Sequence, residues 1–91
     1  MMITNDTICA VSTAPGVGGI AVIRVSGKDA ISITSDIFVG IKKNITLLSQ
    51  KAYTLTHGNI LDEENQLIDE VIVALYRAPR SFTGEDVVEI S

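Results

Sequence analysis

Apolar and polar positions along the chain follow a period of two, then a helical period, then two again. Residues 6–14, DTICAVSTA, alternate loosely and predict a strand running into a Pro15-Gly16 turn. Residues 20–26, IAVIRVS, are rich in β-branched side chains and predict a second strand. Ser26 and Asp29 then stand at capping-box spacing. Ala30, Ile33 and Ile37 follow with helical periodicity, Ile31 and Phe38 lie on an adjoining face, and Gly40 is the expected terminator.

Residues 41–51 are a connection of weak character. Residues 52–61, AYTLTHGNIL, read as a strand in which Gly58 suggests a bulge or bend. The polar segment Asp62 to Gln66 separates it from IDEVIVALY, so a hairpin is expected. The apolar run from Val71 to Tyr76 predicts a central strand buried on both faces, ended by Pro79. After a turn-forming segment from Arg80 to Glu85, VVEIS begins another strand, and the pattern stops there as it would in a truncated domain. The fold class is therefore α+β, a mixed or mostly antiparallel sheet with one or two helices.

Composition narrows this picture. A chain of 91 residues makes one domain, 1–91, and its 46% hydrophobic content supplies a core of Ile, Val, Leu and Ala. No apolar run reaches the ~20 residues of a membrane span, and the N-terminus lacks the basic flank and apolar centre of a signal peptide. A soluble, unexported protein is expected. The net charge of −4 offers no basic stripe for independent nucleic-acid binding. The single cysteine, Cys9, has apolar neighbours and reads as a buried core thiol.

Most apparent motifs fail on context. Gly16 to Ala21 fits a loose dinucleotide fingerprint, GxGxxA, but its glycines open a β-branched strand, where the fingerprint requires a helix N-terminus. Ser26-Gly27-Lys28 lacks both the upstream glycine and the following hydroxyl of a phosphate-binding loop, so no GTP or ATP site is expected in this chain. His57 stands far from Cys9, without metal-ligand spacing, and reads as a surface or packed residue. Asp62, Glu63 and Glu64 read as a solvated turn, and no nucleophile–base pair is recognisable, so no catalytic residue is assigned.

Two charges stand out. Arg24 interrupts the second strand on the face of Ile20 and Val22, and Glu89 interrupts the last strand on the face of Val87 and Ser91. A charge in an apolar strand needs either a partner or an exit to water. Both readings stay open: solvent exposure on an open face, or a ligand pocket or subunit interface. Thr83 and Asp86 are similarly either a capping box or part of such a pocket's rim.

DTICAVSTAPGVGGIAVIRVSG near the start and IDEV…APRSFTGEDVVEIS at the end together resemble the N-terminal domain of the MnmE (TrmE) family of tRNA modification GTPases. The resemblance runs from Asp6 to Ser91. It departs at Val17, where the family commonly has arginine, and the family pattern continues past Ser91 into a His-Gly-Gly segment. It implies a fold similar to tetrahydrofolate-binding domains of the aminomethyltransferase type, a homodimer, and binding of 5-formyltetrahydrofolate. It further implies cytoplasmic location and a parent protein with a helical domain and a potassium-dependent GTPase domain using GTP and Mg2+, both absent here. With the flavoprotein MnmG (GidA), that parent would modify carbon 5 of the wobble uridine of tRNA. The family's folate contacts fall on Arg24 and Glu89; a third, a lysine, lies beyond Ser91. Two other function classes compete with this one: a ligand-free dimerisation module, and a one-carbon transferase acting alone.

Overall fold

The computed structural model describes residues 7–13, 21–42, 45–78 and 84–91. The predicted Pro15-Gly16 turn, the GxGxxA glycines, Val17 and the Pro79 to Thr83 part of the later turn lie outside them. Six strands form one sheet: β1 (Ile8–Thr13), β2 (Ala21–Ser26), β3 (Phe38–Gly40), β4 (Thr54–Leu61), β5 (Leu67–Tyr76) and β6 (Val87–Ile90). Their order is β1-β2-β6-β5-β4-β3, and each neighbouring pair is antiparallel. One α-helix, α1 (Ala30–Ile37), and a 3-10 turn at Leu47–Ser49 complete the described elements. This is the expected α+β arrangement with a mostly antiparallel sheet.

The core lies between α1 and one face of the sheet. Val25, Val71, Val73, Leu75, Val88 and Ile90 are buried there, against Ala30 and Ile31 of the helix. Each Val or Leu fully buried in this way stabilises the fold by roughly 1.5–3 kcal/mol. Strand β5 departs from expectation because only this face is fully covered. Val73 and Leu75 are inaccessible, whereas Ile72, pointing to the other face, is 46% exposed. Period-two alternation along an apolar run thus reports strand character without reporting two-sided burial.

The helix is shorter than its periodicity predicts. It ends at Ile37 because Phe38 turns extended, with φ −114° and ψ 134°, and pairs with Ile60 of β4. Gly40 is therefore a strand residue rather than a helix terminator. The capping box of Ser26 and Asp29 does not form: Ser26 closes β2, and Asp29, at the N-cap, makes no side-chain cap bond. Its backbone N–H instead donates to Thr7 Oγ1 at 3.1 Å. The buried side of α1 is Ala30, Ile31 and Thr34, while Ile33 and Ile37 are exposed.

Gly58 lies in regular register opposite Val71, and the irregularity in β4 falls instead between Ile60 and Leu61. The expected hairpin is present. Asp62 Oδ1 accepts from the N–H groups of Glu64 and Gln66 at 2.8 and 2.9 Å, and Asn65 takes φ 61°. Left-handed φ is tolerated by asparagine, so this polar segment is a turn with a mechanism. The 45–51 part of the weak connection is structured, because Leu47 is fully buried and the Arg77 guanidinium donates to the carbonyl oxygens of Leu48 and Gln50 at 3.0 and 2.7 Å.

Candidate functional site

Insertion of β6 between β2 and β5 decides the geometry of the two charged strand residues. The register pairs Ile23 with Ile90, Arg24 with Glu89 and Val25 with Val88. Arg24 and Glu89 are therefore direct cross-strand neighbours on the face away from α1. The Arg24 guanidinium donates to Glu89 Oε1 twice, from Nη2 at 2.7 Å and from Nε at 3.2 Å. Their side chains are 41% and 21% exposed. The pair is thus half-sunk in the sheet and still reachable from solvent.

The surrounding floor is low. The same cross-strand row continues to Ala10 of β1 on one side, then to Ala74 of β5 and Leu55 of β4 on the other. Two methyl groups flank the ion pair, and Leu55, 73% exposed, stands beyond them. Chemically the row offers a carboxylate that accepts and a guanidinium that donates, fixed side by side. Charge-assisted hydrogen bonds of this kind are strong and orienting.

The other singled-out residues do not join this site. Cys9 is exposed, a correction to the buried thiol expected from its neighbours. It lies on edge strand β1, opposite Val25, on the helix side of the sheet, where it lines the open groove beside α1. His57 Nε2 lies 2.6 Å from Glu70 Oε1, both well exposed, on the sheet face of the pair but two strands away. Asp86 accepts a hydrogen bond from the Ala78 N–H at 2.8 Å and so ties the start of β6 to the end of β5; Thr83 lies outside the described residues.

A groove of about 420 Å³ opens on the opposite face between α1 and the sheet. Ile23, Val25, Ile33, Ile37 and Ile90 line it. Its walls are almost wholly apolar, so it lacks the convergent polar groups that orient a small ligand. The candidate site is the charged pair on the other face.

Sequence reasoning missed two further features. Tyr53 and Tyr76 meet edge to face, and Arg77 holds the Leu47–Ser49 turn by its carbonyls. Nothing in local sequence signals either, because both depend on β4–β5 register and on where the connection folds back.

Residues 7–91 match the family model of the GTP-binding protein TrmE N-terminus. The chain belongs to this family. It is 62% identical over 86 residues to the tRNA modification GTPase MnmE of Parabacteroides distasonis, covering 94% of this chain and 19% of that protein. It is 51% identical over 87 residues to the MnmE of Syntrophomonas wolfei, covering 96% and 19%. With the MnmE of Clostridioides difficile it shares 46% over 91 residues, covering 99% and 19%. The chain spans about a fifth of the length of these relatives. Arg24 and Glu89 both fall within the TrmE N-terminus match.

Proposed function

We propose that this chain is the folate-binding and homodimerising domain of a tRNA modification GTPase, and that Arg24 and Glu89 hold 5-formyltetrahydrofolate. The observation that carries the reading is the partly exposed Arg24–Glu89 pair on the sheet face away from α1, flanked by Ala10 and Ala74. A reduced pterin presents a ring N–H beside an exocyclic amine, and a carboxylate accepts from both. Arginine offers the complementary fork for a carbonyl, a ring nitrogen or a carboxylate. Pairing the two residues before ligand arrives reduces the freedom each must lose on binding. Membership of the TrmE N-terminus family agrees with the assignment.

The remaining roles belong to the parent protein. In this reading it carries a helical domain and a potassium-dependent GTPase domain that uses GTP and Mg2+. It acts in the cytoplasm with the flavoprotein MnmG on carbon 5 of the wobble uridine of tRNA. This domain supplies no catalytic residue and no metal site, and its fold is similar to tetrahydrofolate-binding aminomethyltransferase-type domains. A second reading, a dimerisation module without ligand, draws on edge strand β1, whose Ile8 and Val11 are exposed and which carries no charge.

Calorimetric titration of 5-formyltetrahydrofolate into the chain and into Arg24→Ala and Glu89→Ala variants tests the assignment. Saturable binding is expected, weakened by ~1.5 kcal/mol or more in each variant, the scale of hydrogen bonds to charged groups. Unchanged affinity in both variants overturns the site. A dimer in sedimentation that is indifferent to folate favours the second reading.

A further inference from the structure

The chain contains two tyrosines and no tryptophan, and both tyrosines lie in one contact beside the candidate site. Their ring centroids are 6.0 Å apart with planes at 82°. Tyr76 closes β5 opposite Val87, while Ala74, two residues earlier, stands opposite Glu89. Side chains two apart on a strand share a face, so Tyr76, Ala74, Glu89 and Arg24 point the same way. Tyr76 and Glu89 are diagonal cross-strand neighbours, a spacing of roughly 7–8 Å that aromatic and long side chains bridge. Tyr53 is held independently. Its backbone takes φ 62°, and its N–H donates to the Leu75 carbonyl at 2.7 Å.

We propose that Tyr76 is the side wall of the Arg24–Glu89 site and sets its preference for a flat heterocycle, with Tyr53 as its positioning residue. The inference rests on the reading that this site binds a reduced folate. Glu89 and Arg24 fix the hydrogen-bonding edge of the ring system, but in-plane bonds alone leave it free to tilt over the low alanine floor. A half-buried aromatic side chain beside that floor removes the tilt through ring contact, which favours planar groups over saturated ones of equal size. Tyr53, set edge-on, restricts the rotamers open to Tyr76.

Affinities for 5-formyltetrahydrofolate, and for a tetrahydropterin head without the aminobenzoyl-glutamate tail, are measured by calorimetry in Tyr76→Ala, Tyr76→Leu, Tyr76→Phe, Tyr53→Ala and Arg24→Ala. Tyr76→Ala and Tyr76→Leu are each expected to weaken both ligands about tenfold, the scale of ring stacking on an aromatic side chain. Tyr76→Phe restores binding, and Tyr53→Ala gives a smaller loss. The leucine variant keeps the apolar bulk, so a merely structural role would leave its affinity at the parent value. In Tyr53→Phe, where Tyr76 is the sole tyrosine, ligand is expected to quench the emission after absorbance correction. Parent affinity in Tyr76→Leu, with binding lost in Arg24→Ala, removes the wall and leaves the site standing. A loss seen with the tailed ligand alone also overturns the proposed ring contact. Parent affinity in both Arg24→Ala and Tyr76→Leu removes site and wall together.

Discussion

The ring of Phe38 occupies the place where a side chain on Gly58 would stand. A Cβ built on Gly58 falls inside contact distance of both the Phe38 ring and the Val39 carbonyl oxygen. Glycine is required here for close packing of β3 on β4, with an ordinary backbone conformation. Gly58→Ala is expected to destabilise the domain by about 1–3 kcal/mol, the usual cost of overpacking. Urea unfolding should show a lower midpoint at an unchanged slope.

Thr56 gives the opposite sign. Its hydroxyl is buried on the core side of β4 and finds no hydrogen-bond partner among the described residues. Valine has nearly the same shape without the unmet polar atom. Thr56→Val should stabilise by about 1 kcal/mol, read as a higher melting temperature.

Arg77 is the clamp on the 45–51 connection, since its Nε and Nη2 both reach the Gln50 carbonyl, at 3.0 and 2.7 Å. Arg77→Ala is expected to cost about 1–2 kcal/mol, and Arg77→Lys to recover little, because an ammonium lacks the planar fork. Hydrogen exchange localises the effect. The Ser49 and Gln50 amides, bonded to the Thr46 and Leu47 carbonyls, should lose protection before the β4–β5 ladder does.

Cys9 should react with a thiol reagent stoichiometrically in the native protein, with no denaturant. Its exposure on edge strand β1 predicts this outcome. Labelling that waits for global unfolding would return it to the core.

Where the sequence is read locally, it reads well. Strand β2, the β4–β5 hairpin and β6 follow from β-branched runs and from the polar segment at Asp62 to Gln66. The errors arise where tertiary contacts decide. Phe38 fits a helix by spacing, yet pairing with Ile60 draws it into a strand. Cys9 has core-like neighbours, but its place on the edge strand leaves it open. At the candidate site, Arg24 and Glu89 are visible as charges in apolar strands. Their direct opposition is not, because the order β2-β6-β5 and the pairing register have no local signature. Tyr53 and Tyr76 stay invisible for the same reason.

The bonds between Arg24 and Glu89 join residues 65 positions apart, from β2 to β6, the last described strand in sequence and third in the sheet. Neither half of the chain contains the site; it exists once β6 has slotted between β2 and β5. A ligand that grips both residues binds the completed sheet alone, and mass action then converts its concentration into fold stability. Occupancy of the site thereby certifies that the most non-local strand pairing among the described residues has closed.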